Sequence, residues 1–376
     1  MYIKKKFIII LVSLMSLTVV ADRYSSLELF AQVLNLIKKY SFKEVQLETL
    51  VQGAIKGLLR EVDVHSQFFD SQQMQNLKEQ VEGSFYGIGI EVDSKKGSLI
   101  IISIVKNSPA DKAGLKKGDK LLKVNQSRVK NFTVGEFSEL FHKPKKRYTL
   151  VVLRKGTKQA LSFKVKSTKI RIKSVKFKKI KDDFYYLRIY YFSKKTTLEI
   201  NKKLKPLSNI QGLVLDLRSN PGGDLDQAVK VADLFLDKGV IVYYKTKPDP
   251  KDQILKAHFS DTLGSFPLVV LIDEYSASAS EVVAGALKDH KRALLVGRKS
   301  FGKGSIQTIF PIKDRWALKL TVGEYKTPSK KSIDGHGIEP HITLPTSLKD
   351  PKKITSLLED PDIQKAFEEL KKQKNQ

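Results

Sequence analysis

From residue 212 onward the chain alternates short apolar runs with amphipathic segments, and this alternation restricts the fold more than any other feature. Residues 212–217 (GLVLDL) read as a buried strand and 224–236 as an amphipathic helix. Strands follow at 240–244 and 268–272, then a helix at 281–289 and a strand at 293–296. Strands that alternate with helices belong to a mixed, largely parallel sheet with crossover helices, because each helix carries the chain back to the same sheet end. Residues 306–312 and 317–324 read as a hairpin. The stretch 354–376 reads as a polar, Lys/Glu-rich helix.

The preceding residues have a different texture. Between 25 and 82 apolar residues recur at helical spacing (Leu27, Phe30, Val33, Leu34, Ile37, then Leu47, Leu50, Val51, Ile55, Leu58), which predicts two or three helices. Asp63-Val64-His65-Ser66 interrupts them, with Ser66 placed to cap a following helix. From Gly83 the glycines Gly87, Gly89 and Gly97 punctuate short β-branched runs, and a Gly118-Asp119 turn precedes another strand. Residues 169–192 alternate apolar side chains with lysines. Alternation with interleaved aromatics has two readings, a nucleic-acid surface or a strand with one solvated face, and the strand is the simpler. The 376 residues are enough for two or three domains of roughly 150 residues each. The expected organisation is a leader at 1–21, a helical N-terminal region at 22–82, a β-rich domain at 83–168, an α/β core at 169–346 and a helical tail at 347–376.

The N-terminus speaks to location. Lys4, Lys5 and Lys6 precede an apolar stretch that ends in Val19-Val20-Ala21. A basic start, an apolar middle and small residues at the end make a cleaved export signal, or else an uncleaved anchor. Either puts the rest of the chain at the periplasmic or extracytoplasmic face of a membrane, away from ATP and from most nucleic acid. The absence of cysteine excludes disulfides, thiol nucleophiles and Cys-ligated metals. Six histidines with no H-E-x-x-H leave little for a metal, and no cofactor is expected. The formal net charge of +28 favours anionic partners, of which an anionic membrane surface is the candidate for an exported chain.

Three segments could carry chemistry. The strand at 268–272 runs into Tyr275-Ser276-Ala277-Ser278-Ala279-Ser280-Glu281 and then a helix. A serine there has its hydroxyl at the sheet edge, beside amides of a helix N-terminus that suit an oxyanion. The same pattern, Ser278-x-x-Glu281, also describes an ordinary capping box. Ser300-Phe301-Gly302-Lys303-Gly304-Ser305 sets a lysine between glycines. Burial would disfavour its ammonium form and let it act as a base, whereas a surface turn would leave it an ordinary lysine. If the chain is extended from Lys303, then Ser305 and Gln307 share its face, and Gln307 could orient the lysine. Asn220-Pro221-Gly222-Gly223 at a strand end exposes backbone amides that could serve an oxyanion. A histidine base fits poorly, since His290 lies about 18 Å further along the helix at 1.5 Å per residue.

Taken together the segments resemble the carboxy-terminal processing proteases, or tail-specific proteases. Gly87-Ile88-Gly89-Ile90, with Asn107-Ser108-Pro109-Ala110 and Ala113-Gly114-Leu115-Lys116-Lys117-Gly118-Asp119, is similar to the PDZ domain of that family. Arg218-x-Asn220-Pro221-Gly222-Gly223 resembles its oxyanion loop, Ser276–Glu281 its nucleophile motif, and Phe301-Gly302-Lys303-Gly304 with Gln307 its base motif. Asp334-Gly335-His336-Gly337 resembles its C-terminal turn. The interval between Ser278 and Lys303 fits the family spacing and selects Ser278 over Ser276 and Ser280. The resemblance implies a PDZ domain inserted beside an α/β protease core, with Ser278 as nucleophile, Lys303 as general base and Gln307 as its orienting partner. It implies an oxyanion hole from the Ala279 amide and one of Gly222 or Gly223, with Gly223 favoured. It further implies a carboxylate-binding loop at Gly87, Ile88, Gly89 and Ile90 that captures proteins with apolar C-termini. Asp63-Val64-His65-Ser66 departs from the usual Asp-Pro-His-Ser, which puts the local turn in doubt. The helical N-terminal region and the C-terminal helix are candidates for self-association or for covering the active site. The competing expectation is a PDZ-based scaffold whose protease domain is inactive or latent.

Overall fold

A computed structural model describes residues 25–345 and 356–374, apart from short breaks at 96–97, 131, 142–145, 158, 248, 250, 260–261 and 314. The expected leader at 1–21 lies outside the described residues. Among the described residues no helix is long and apolar enough to cross a membrane.

The core is a six-stranded sheet in the order Val175–Lys181, Phe184–Ile189, Gly212–Asp216, Leu268–Ile272, Leu294–Gly297, Ile342–Thr343. The first pair is antiparallel and every later pair parallel. The two central strands are buried along their whole length, as parallel strands covered on both faces must be. Their side chains alternate between two cores with the period of a strand. Leu213, Leu215, Leu268, Val270 and Ile272 face the helices Thr196–Leu204, Leu225–Asp233 and Ala279–Asp289. Val214, Val269 and Leu271 face Ile363, Ala366, Phe367 and Leu370 of the helix Pro361–Lys374.

That last contact corrects the sequence reading, which set 347–376 apart as a tail for self-association or for covering the active site. The helix Pro361–Lys374 is the second covering layer of the sheet, because exposing Val214, Val269 and Leu271 to water would forfeit their burial. Ion pairs fix it there. Arg218, at the end of a central strand, donates to Asp216 at 2.8 Å, to Asp360 at 3.0 Å and to Asp362 at 3.0 Å, and Arg298 adds a bond to Asp362 at 2.9 Å. Tyr186 donates its hydroxyl to Asp216 at 2.6 Å.

A second difference concerns 240–244. The strand Val240–Thr246 does not join the parallel sheet. It pairs antiparallel with Gln253–Lys256 on one side and with the strand Trp316–Lys326 on the other. Its later residues are only half-buried, unlike those of the central strands.

The chain divides into two compact units, one comprising Met1–Phe69 with Ile309–Leu320 and the other the remainder. The helical region expected at 22–82 therefore ends earlier, and the helix Ser71–Glu82 belongs to the larger unit. The smaller unit holds a helix at 25–40, the helix Leu47–Val62, and the tip of the hairpin Ser305–Ile312/Trp316–Lys326, where Phe68 stacks on Trp316 with ring centroids 5.1 Å apart. The doubt over Asp63-Val64-His65-Ser66 is removed by the aspartate itself. Asp63 Oδ1 accepts from the His65 and Ser66 amides and Oδ2 from the Ser66 hydroxyl, so the turn forms without a proline. Ser66 caps no helix, since the strand Gln67–Asp70 follows it.

Within the larger unit lies a β-rich domain. Its antiparallel sheet runs Ile90–Lys95, Ser98–Ile104, Lys120–Val124, Arg147–Leu153, Leu161–Lys166 around a core of Leu99, Ile101, Leu121, Leu150 and Val152. Residues 168–192 supply the strands Thr168–Arg171, Val175–Lys181 and Phe184–Ile189.

Burial alone would push the Asp216 carboxyl up, but the Arg218 charge and hydrogen bonds, the Arg188 charge and the Tyr186 hydroxyl hold it below the ordinary carboxylate range. A depressed acid contributes stability above its unfolded value, and that stability is lost as pH falls through the folded value. Acid unfolding is therefore expected below pH ~4. Arg218→Ala, which leaves Asp216 and Asp362 buried without this partner, is expected to cost about 3–5 kcal/mol and to weaken that pH dependence. Urea titrations at pH 3, 5 and 7 measure both.

Candidate active site

Ser278 sits between the strand Leu268–Ile272 and the helix Ala279–Asp289, with φ 55° and ψ −114°. This left-handed region costs a residue with a Cβ about 1–3 kcal/mol, and such strain persists only where neighbours enforce it. Here they do. The Ser278 amide donates to Glu281 Oε2 at 2.8 Å, its carbonyl accepts from the Glu281 amide at 2.8 Å, and the Ala277 amide donates to Asn220 O at 3.0 Å.

The neighbouring serines are fully buried and committed. Ser276 Oγ donates to Leu217 O at 2.8 Å and accepts from the Asp273 amide, while Ser280 Oγ donates to Asn220 O at 3.0 Å. Ser278 is the only one of the three that is not buried. The geometry thus separates it from the other two on grounds independent of spacing.

The loop Arg218–Gly223 lies directly against it. Asn220 anchors the loop, donating from Nδ2 to Ile189 O and accepting the Gly222 amide at Oδ1, both at 2.9 Å. Gly222 has φ +103°, and a Cβ on it would come within 2.8 Å of Ser278 Cβ and 3.1 Å of the Ala279 nitrogen. Only glycine allows this approach. The Gly222 carbonyl accepts from the Phe192 amide at 2.8 Å. In a planar trans peptide the next N–H points the opposite way, so the Gly223 amide is directed away from Phe192 while the Gly222 amide is occupied by Asn220. Ala279 opens its helix, where first-turn amides have no carbonyl one turn back to bond.

Lys303 is half-buried in the loop that follows the strand Leu294–Gly297. Its amide donates to Glu281 Oε2 at 2.8 Å, the oxygen that also accepts the Ser278 amide. The two backbone nitrogens are therefore no more than two hydrogen-bond lengths apart. Burial pushes the Lys303 ammonium below the ordinary lysine range, and the Glu281 charge opposes that shift. The glycines beside the lysine have a packing reason. The Gly335 amide donates to Gly302 O at 2.9 Å and the Gly304 amide to Asp334 Oδ1 at 3.0 Å, and a Cβ on Gly304 would strike the Asp334 backbone. His336 bonds the Asp334 carbonyl through Nδ1, and His290 bonds the Val240 carbonyl through Nε2, both at 2.7 Å.

Gln307 differs from expectation. Its amide nitrogen donates to Ser305 Oγ at 2.9 Å and to Thr321 Oγ1 at 3.5 Å, and among the described residues no hydrogen bond joins it to Lys303. Glu281, by contrast, was legible in the sequence only as half of a capping box. The structure gives it four donors, from both the serine turn and the lysine loop.

The inserted domain carries a groove of about 420 Å³ lined by residues including Gly87, Ile88, Gly89, Ile90, Val134 and Phe137. The strand Ile90–Lys95 is the edge of its sheet. The Ile88 carbonyl accepts from the Ala110 amide and the Gly89 carbonyl from the Val105 amide, each at 2.9 Å. The Gly89 and Ile90 amides, which share those peptide planes, point away from these partners.

Comparisons with known proteins agree with this layout. Residues 183–344 match peptidase family S41 and residues 87–165 match a PDZ domain. A carboxy-terminal-processing protease of Bartonella bacilliformis is 36% identical over 339 residues, 88% of this chain and 78% of that protein. The solved structure of the photosystem II D1 C-terminal processing protease aligns with a TM-score of 0.50 at 28% identity, covering 82% of this chain and 86% of that one.

Two substitutions test the geometry. Ser278→Gly removes the left-handed strain that Ser278→Ala keeps, so thermal melts are expected to place it about 1 kcal/mol above the alanine variant. Gly222→Ala is expected to lower the cleavage rate about 10²-fold or more by crowding Ser278 and Ala279, measured by peptide hydrolysis. The match in sequence, the match in structure and the inserted PDZ domain together identify the chain as a member of peptidase family S41, the serine-type carboxy-terminal-processing proteases.

Proposed function

We propose that the protein is an exported endopeptidase that captures proteins by apolar C-termini and cleaves them through an acyl-enzyme on Ser278. The observation that carries this reading is the single Glu281 oxygen that bonds both the Ser278 and the Lys303 amides. The substrate tail adds as a strand to the free edge of Ile90–Lys95, with its carboxylate at the Gly89 and Ile90 amides and its apolar side chains in the groove.

In the first step neutral Lys303 takes the Ser278 hydroxyl proton as Oγ bonds the scissile carbonyl carbon. The oxyanion is received by the Ala279 and Gly223 amides. Collapse breaks the C–N bond, and the Lys303 ammonium gives its proton to the departing amine. Lys303 then takes a proton from water, whose oxygen attacks the ester. The ester C–O bond breaks, and the proton returns to Ser278.

Export is supported by the basic and apolar start of the sequence, and a basic surface suits attachment to anionic lipid. Salt-sensitive binding of the full chain to anionic vesicles is expected, and absence of binding at low salt rejects the attachment.

The activity test incubates the full chain with an unfolded protein ending in apolar residues and reads the fragments by mass spectrometry. Cleavage by the parent and none by Ser278→Ala or Lys303→Ala is expected, with slower cleavage when the tail is amidated. The rate is expected to rise with pH and to level off below the ordinary lysine range, because burial lowers the Lys303 value. Cleavage that survives in both variants rejects the assigned site.

A further inference from the structure

Four donors converge on the fully buried Glu281 carboxylate, two on each oxygen. Oε1 accepts from Ser300 Oγ at 2.6 Å and from the Gly302 amide at 2.7 Å. Oε2 accepts from the Ser278 and Lys303 amides, both at 2.8 Å. A capping box needs only the bond to Ser278. The other three reach across to the lysine loop and serve no capping purpose.

The donor set requires a carboxylate. An ionised carboxylate is an acceptor at both oxygens, whereas a glutamine would turn its own N–H groups toward one of the two pairs. Ser300 is fixed in turn, since its Oγ accepts from the Ile338 amide at 2.6 Å and its own amide donates to Ile338 O at 3.1 Å. The lysine-loop end of the clamp is thus tied through Ser300 to the buried Ile338.

We propose that Glu281 is a positioning residue for peptide cleavage, holding the backbones of Ser278 and Lys303 on one carboxylate oxygen and so setting the reach of the base to the nucleophile. The proposal rests on the Ser–Lys reading above. Because reacting atoms must be held close to their attack geometry, loosening this bridge lowers the catalytic step more than substrate capture, which occurs at the PDZ groove.

Glu281 also bears on the base electrostatically. Burial pushes its own carboxyl up against the pull of the four donors, and its charge raises the Lys303 value against burial of the ammonium. The turn packed against the lysine loop contributes Asp334, bonded to the Gly304 amide, and His336, bonded to the Asp334 carbonyl. Substituting Glu281 leaves both of those bonds in place.

The experiment compares the full chain with Glu281→Gln, Glu281→Asp, Ser278→Ala and Lys303→Ala. Each is assayed for cleavage of an unfolded, apolar-tailed protein across pH, and near-UV circular dichroism checks folding. Glu281→Gln is expected to lose about 10²-fold in kcat with KM unchanged. The acidic limb of its pH profile is expected to move to lower pH, because the negative charge beside Lys303 is gone. Glu281→Asp keeps the charge but shortens the reach, so kcat falls while the limb stays. A folded Glu281→Gln with parental kcat, or with an unmoved limb, overturns the proposal. If that variant does not fold, Glu281→Asp decides, and an unchanged kcat in it overturns the proposal. Parental activity in both Ser278→Ala and Lys303→Ala would overturn the Ser–Lys reading itself, whatever the Glu281 variants do.

Discussion

A carboxylate buried away from water must be met by donors, and at Glu281 that requirement binds two distant stretches of chain into one site. The Ser278 turn comes from one strand end and the Lys303 loop from the next, and neither has an intrinsic reason to hold its conformation. Ser278 sits at a strained φ, and Lys303 lies in a glycine-flanked loop. The two amides on Glu281 Oε2 make each segment the other's support. Asn220 does the same for the glycine loop, joining it to Ile189 on one side and to Ala277 and Ser280 on the other.

Behind these bonds stands the sheet. Gly212–Asp216 and Leu268–Ile272 are buried on both faces, so their carboxyl ends are held rigidly and the loops that leave them inherit that rigidity. The second face is closed by Pro361–Lys374, residues distant in sequence from everything they cover. Arg218 makes that closure part of the site. It bonds Asp216 beneath the glycine loop, Asp360 just ahead of the covering helix and Asp362 in its first turn. Removing that charge would leave Asp216 to Tyr186 and Asp362 to Arg298, so the C-terminal segment is tied to the core by a shared ion-pair network and is not an appendage.

The inserted PDZ domain follows a different logic, in which the binding element is an unpaired sheet edge. Natural proteins usually protect such an edge. Here, among the described residues, Ile90–Lys95 pairs on one side only and has apolar side chains beside it, an arrangement suited to a strand supplied by another chain. Family membership accounts for a protease with an inserted PDZ domain, and this edge is the element that the proposed capture of tails uses.

Much of this was legible before any coordinates. Hydrophobic runs of strand length between helical stretches dictated the parallel sheet, because periodicity reports which faces are buried. Glycines beside Lys303 marked a place where backbones approach closely. What periodicity cannot report is which buried face meets which partner. The polar look of 354–376 concealed the four apolar residues that close the sheet, and Val240–Thr246 has strand character whether it pairs in the main sheet or outside it. Ser278-x-x-Glu281 reads as a cap because a capping box is local. Only the fold brings Ser300, Gly302 and Lys303 to the same carboxylate, and that convergence depends on strand order, which a one-dimensional pattern does not contain.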